Sequence, residues 1–296
     1  MNENDYGGYV KQQNEFIKWM SRHLVGLSGT YFPLDQEEKA FRTKEQVFCF
    51  PGFVLALNGH WHYVTAGHNL LDVLEDYVKK GWIKLTGNFA FLDYFGPDAK
   101  VKEKTVFDYD RANKLRIDQK DLGIDFALIP LDDYYKLHLE ANGVIPFERK
   151  HWIGTNQIEF SFYAMLGFPE DLMEPCSRVV QNREQVGLDV CATLVLIKRL
   201  ERAPDGIDAP GGDWLIGEVS APISMKGMSG GPVFGFRQRD NGRWEYRLVA
   251  VQSRWFKDHR VIYASAISPV MHAIGGAIQK WLEEEASGNS TDVKSD

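Results

Sequence analysis

The stretch FVLALNGHWHYVT restricts the fold more than any other part of the chain. Two extended runs, Phe53–Leu57 and His60–Thr65, flank Asn58-Gly59, and Asn-Gly suits the positive φ angles of a type I′ turn. The segment therefore predicts a β-hairpin whose second strand leads into Ala66-Gly67-His68, with the histidine just past the strand end. A short helix is expected next, over 70–80, with Leu70, Leu71, Leu74 and Tyr77 on one face. Trp61 and Tyr63 share one face of the hairpin strand and read as core or inter-strand residues. His60 and His62 share the other; without a carboxylate or cysteine motif nearby they read as packing or solvent-facing groups and not as metal ligands.

Further strands are predicted at 89–95, 104–109 and 125–131 and, after a helical turn near 132–141, at 161–167, 188–198, 213–219, 232–237, 244–253 and 260–267. A second Asn-Gly, Asn241-Gly242, joins the strands around 235 and 247. Two successive groups of strands without alternating long helices predict an all-β architecture of barrels over a parallel α/β sheet. Phe16, Trp19, Met20 and Leu24 fall at helical spacing and predict a partly helical N-terminal extension. Residues 269–285 read as a terminal helix with Pro269 in its first turn, where no amide donor is needed.

Composition removes several functional classes. With 34 Lys and Arg against 41 Asp and Glu, the net charge is -7. No basic stripe is available for phosphates, so no nucleic-acid partner is expected. No run of about 18 apolar residues suggests a membrane span. The three cysteines, Cys49, Cys176 and Cys191, are odd in number and lack CxxC spacing, which fits neither a zinc site nor a disulfide framework. No metal or cofactor is expected. The polar N-terminus lacks the apolar core of a signal peptide, so the expected location is cytoplasmic.

The most informative residues for chemistry are Gly227-Met228-Ser229-Gly230-Gly231-Pro232. A serine hydroxyl is a poor nucleophile unless a base takes its proton and donors hold the oxyanion that forms. Flanking glycines allow a sharp turn and leave no side chain over the attacked carbonyl. In such a loop the amides of Gly227 and Ser229 can converge as an oxyanion hole. His68 is a candidate base, and Asp125 is a charged group opening the apolar strand DFALIPL.

Together the three resemble the chymotrypsin-like, or trypsin-fold, serine protease family. Thr65-Ala66-Gly67-His68 matches its histidine motif, Asp125-Phe126-Ala127-Leu128 its aspartate segment, and GMSGGP its serine motif, in the family's order. The resemblance covers roughly residues 45–285. It implies two packed six-stranded antiparallel β-barrels: an extension over 1–44, a first barrel over 45–142, a second over 143–268, a C-terminal helix over 269–286 and a disordered tail over 287–296.

The same resemblance implies that His68, Asp125 and Ser229 form a catalytic triad acting on a protein or peptide substrate. LVAVQSRW is similar to the family's edge segment that pairs with an extended substrate, with Ser253 behind the triad and Arg254 and Trp255 beside the substrate backbone. Ile223 falls at the floor of the P1 pocket, with Ser224 and Val261 as wall positions, implying an apolar or small P1 residue. Two departures stand out: Met228 replaces the aspartate that pairs with a newly cut N-terminus, and Asn69 replaces the cysteine of a neighbouring disulfide. Both suit an enzyme that forms its site without processing, or with a regulatory protein partner. The rival readings are a latent or non-catalytic protease-fold binding protein and, because Gly227–Gly231 also satisfies G-x-S-x-G, an esterase of the α/β-hydrolase fold.

Overall fold

The computed structural model describes residues 15–286, apart from 36, 38, 43, 101–103, 181–182, 208–210, 213 and 222. The expected tail over 287–296 lies outside the described residues.

Nine strands build the first half: β1 (Leu24–Asp35), β2 (Ala40–Phe41), β3 (Gln46–Leu57), β4 (His60–Thr65), β5 (Ile83–Leu85), β6 (Ala90–Leu92), β7 (Thr105–Val106), β8 (Leu115–Gln119) and β9 (Ile124–Leu131). They pair in the order β7-β6-β1-β3-β4-β9-β8, with β2 and β5 also on β1. The predicted hairpin is present, with Asn58 and Gly59 both at positive φ. Beyond it the expected helix forms as a π-helix, Asn69–Asp76, running into a single α-turn, Tyr77–Lys79.

The remaining strands are β10 (Phe162–Gly167), β11 (Glu174–Val180), β12 (Arg183–Asp189), β13 (Thr193–Leu200), β14 (Trp214–Val219), β15 (Pro232–Gln238), β16 (Trp244–Phe256) and β17 (Val261–Ala266). Six of them close a barrel in the order β10-β13-β14-β17-β16-β15, while β11 and β12 form a separate hairpin. The second barrel is thus as expected. The C-terminal helix runs from Ile267 to Ala286.

Two sequence expectations fail here. The first half is an open nine-stranded sheet and not a closed six-stranded barrel, because its end strands β7 and β8 do not pair among the described residues. The chain between them turns inward to bury Phe107 and Tyr109 with Val54, Tyr63, Phe91 and Ile129, and that burial replaces a continued ladder. Residues 24–35, read as extension, are instead the central strand β1, hydrogen-bonded to β3 along eight residue pairs. In that region residues 15–20 are α-helical and Ser21–His23 form a 3-10 turn among those described; Met20 is buried, and Trp19 packs edge-on against Tyr246 at 5.3 Å between centroids.

A shared apolar core joins the halves. Phe53, Leu55, Phe126 and Phe147 from the first meet Phe168, Phe234, Leu248 and Val251 from the second, with Ile267, Val270 and Ile274 of the C-terminal helix. A second cluster fills the curled sheet and a third fills the barrel. All three cysteines are free thiols.

Candidate functional site

The site lies where adjoining ends of β4 and β9 meet the barrel. The two strands pair antiparallel, Thr65 opposite Ala127, so the turn after β4 and the start of β9 are neighbours. This pairing, set by the buried apolar residues of both strands, brings His68 and Asp125 together across 57 positions of sequence.

Asp125 is fully buried and holds His68 at two points. Its Oδ2 lies 2.7 Å from the imidazole Nδ1, and its Oδ1 accepts from the His68 backbone amide at 2.9 Å. The chain can approach this closely because residue 67 is glycine: a Cβ there would come within 2.9 Å of Asp125 Oδ1. The barrel adds two partners: Ser253 Oγ donates to the carboxylate at Oδ2, and Ser265 Oγ, on β17, accepts from the Asp125 backbone amide at 2.8 Å. Burial opposes ionisation of Asp125, but the bonds from His68 and Ser253 outweigh it and hold its carboxyl below the ordinary range. Burial likewise opposes charge on His68, and the bond and charge of Asp125, aided by Asp72 and Asp118, hold its pKa above the ordinary 6.5.

Ser229 sits in the turn before β15. Its hydroxyl donates to the Ser253 carbonyl at 2.9 Å, and no bond to His68 forms among the described residues. Ser253 therefore links the group: its carbonyl takes Ser229 and its hydroxyl takes Asp125. A register shift between Gln252 and Arg254, where β16 pairs with β17, marks a bulge at Ser253 that re-aims this residue. On the other side, Asn69 Nδ2 donates to the Ser229 carbonyl at 2.8 Å and to Thr65 Oγ1 at 3.0 Å. The residue after the histidine thus ties the two halves together without a disulfide.

The loop before Ser229 is shaped by buried and bonded groups. Met228 is buried in the barrel cluster with Met165, Val195 and Met225. Gly227 has φ +86°, a conformation that glycine tolerates best. The Lys226 carbonyl accepts from the Glu170 amide at 2.8 Å. Because a trans peptide points its N–H opposite its C=O, the Gly227 amide faces away from Glu170. Among the described residues neither the Gly227 nor the Ser229 amide has a hydrogen-bond partner.

The other predicted residues lie around this centre. Ile223 and Trp255 pack on the barrel cluster, Val261 is buried at the start of β17, and Ser224 is half-buried with its amide bonded to Asp171 Oδ2 at 3.2 Å. Arg254 is half-buried next to Ser253. His62 is buried and His60 exposed; no group of three His, Cys, Asp or Glu able to hold a metal occurs among the described residues. Sequence reading missed Ser265, and it noted Asn69 only as a departure. The cue for Ser265 was a hydroxyl within the apolar strand VIYASA, since a buried polar group needs a partner. Ser229 leads into a strand and not a helix, in a mostly β molecule, which removes the nucleophile-elbow reading and with it the α/β-hydrolase esterase.

The molecule pairs one closed six-stranded antiparallel barrel with a second, open antiparallel sheet. No family model and no curated protein matches the sequence. Solved structures similar over most of the chain include Deg5, at 17% identity and TM-score 0.46, covering 92% of this chain and 94% of that one. The Rv3671c protease from M. tuberculosis, in its active form, matches at 15% identity and TM-score 0.41, covering 85% and 79%. The tobacco etch virus protease, catalytically active and complexed with product, matches at 13% identity and TM-score 0.38, covering 83% and 73%.

Proposed function

We propose that this chain is a serine endopeptidase that cleaves a peptide bond through an acyl-enzyme formed on Ser229. The observation that carries the reading is the doubly held His68–Asp125 pair, joined through Ser253 to a serine whose loop leaves two amides open. Ser229 Oγ attacks the scissile carbonyl while His68 Nε2 takes its proton and then gives it to the leaving amine. Water reverses the sequence to release the acid. Asp125 fixes the His68 tautomer, with the proton on Nδ1, and stabilises the imidazolium. The Gly227 and Ser229 amides receive the oxyanion. Ile223 and Trp255, packed together on the barrel cluster, favour an apolar or small P1 side chain, with Ser224 and Val261 nearby.

A second reading, a latent protease-fold protein switched on by a regulatory partner, has one observation in its favour. The Ser229 proton is given to Ser253 and not to His68. Bonds between a reacting hydroxyl and its base commonly tighten only with substrate bound.

Labelling with a fluorophosphonate tests both. The isolated protein is expected to label at Ser229, and Ser229→Ala to lose labelling and roughly 10⁶-fold in turnover. Near wild-type turnover in that variant would falsify the assignment, and labelling only after a partner is added would establish latency.

A further inference from the structure

We propose that Arg254 and the Tyr263 hydroxyl form a subsite beside the reacting centre that takes an aspartate or glutamate side chain of the substrate, on the N-terminal side of the scissile bond and beyond the apolar P1 residue. This names a substrate class for the protease reading above and rests on it.

The placement follows from strand register. After the bulge at Ser253, Arg254 lies opposite Tyr263 and Trp255 opposite Ile262. Trp255 and Ile262 pack inside the barrel. Cross-strand partners share a face and neighbours alternate, so Arg254 and Tyr263 stand on the outer face. From this same face Ser265 reaches Asp125 and Val251 enters the core between the halves. Arg254 is thus beside the triad, one residue beyond the carbonyl that holds Ser229. A substrate strand pairing along 253–255 lays a side chain over it.

The chemistry of the two groups points to a carboxylate. Tyr263 is 1% exposed, and its hydroxyl is buried without a hydrogen-bond partner among the described residues. A buried donor left unpaired is a cost that a bound acceptor removes. Burial raises the Tyr263 pKa, which keeps the phenol a donor. The Arg254 guanidinium has no hydrogen bond or ion pair among the described residues, whereas Arg237, Arg239 and Arg247 all share Glu245. The rings of Trp214 and Phe256, with centroids 5.9 Å and 5.1 Å from that of Tyr263, give the subsite an apolar wall. Such a wall suits the methylenes of Asp or Glu and strengthens a charge-assisted bond by thinning the water around it.

The test is digestion of peptide libraries, varied at each of the four residues before the cut, by the full chain and by Arg254→Gln and Arg254→Glu. Fluorophosphonate labelling of the wild type is read in parallel. The wild type is expected to prefer Asp or Glu over Asn or Gln by about tenfold at one position. Arg254→Gln should flatten that preference and Arg254→Glu turn it toward Lys or Arg. A labelled wild type with no acidic preference, or an Arg254→Glu profile equal to the wild type's, overturns the subsite and leaves the protease reading standing. Absence of both labelling and cleavage overturns the protease reading, and the subsite with it.

Discussion

The barrel holds Ser229 on a closed ring of six paired strands, whereas the other half holds His68 and Asp125 on an open sheet. The two supports differ in what they can tolerate. In the closed ring each strand has two neighbours, and Met228, the residue before Ser229, is buried among barrel side chains. The loop is therefore set by the barrel's own packing. On the open sheet, His68 lies three residues beyond the end of β4 and is located chiefly by the carboxylate that grips it at two points. A rigid support can place a reacting group by packing, while a looser one must use a specific bond. Ser253, Ser265 and Asn69 are the polar stitches that bring the two into register.

This contrast can be broken from either side. The largest expected effect, after loss of Ser229 itself, comes from Asp125→Asn, which removes the grip on the open-sheet side. Turnover should fall by about 10⁴-fold, because the amide no longer fixes the Nδ1–H tautomer of His68. Single-turnover acylation kinetics read this directly, and a loss below tenfold would show that packing alone positions the imidazole.

Asn69→Ala removes the stitch from the His68 side to the Ser229 carbonyl. It should lower unfolding free energy by about 1–3 kcal/mol, since buried polar partners are left unpaired. Equilibrium denaturation measures this, and an unchanged midpoint would mean that the apolar core alone joins the halves at the site.

The smallest effect is in the pH profile. Asp125 raises the His68 pKa above 6.5, so the neutral base predominates only at higher pH. The rising limb of kcat/KM should therefore centre above pH 6.5. The stability sign is opposite: His68 contributes fully below its unfolded value and loses that contribution as pH rises through the folded one. A limb centred below 6.5 would mean that desolvation of His68 outweighs its partner.

How much of this was legible in the sequence depended on how local the determining physics is. The hairpin at Asn58-Gly59, the glycines around Ser229 and Gly67 before His68 answer demands made within a few residues, and each could be read. β1 could not. Its first seven residues are all buried, so the two-residue alternation that marks a half-exposed strand is absent. Phe16, Trp19 and Met20, at helical spacing, drew Leu24 into the wrong pattern. The open edge of the first sheet was hidden for a similar reason, because whether β7 meets β8 depends on where Phe107 and Tyr109 are buried. The hairpin of β11 and β12 had no counterpart among the expected strands; the run 188–198 took in only the last two residues of β12 and most of β13. Ser253 was placed behind the triad by resemblance, but its double use, carbonyl to Ser229 and hydroxyl to Asp125, depends on a bulge that no local residue pattern announces.

The burial of Met228 has a consequence for control. Where the neighbour of a reacting serine is an acid awaiting a new terminal amine, a proteolytic cut can act as a switch. Here the neighbour is a thioether enclosed by the barrel, so its partners arrive with folding and none is left to be delivered by a cut. If Ser229 reacts as proposed, restraint falls to abundance, encounter, a regulatory partner or the fit of what enters the cleft, and without such a partner the earliest opportunity to react coincides with the completion of the core.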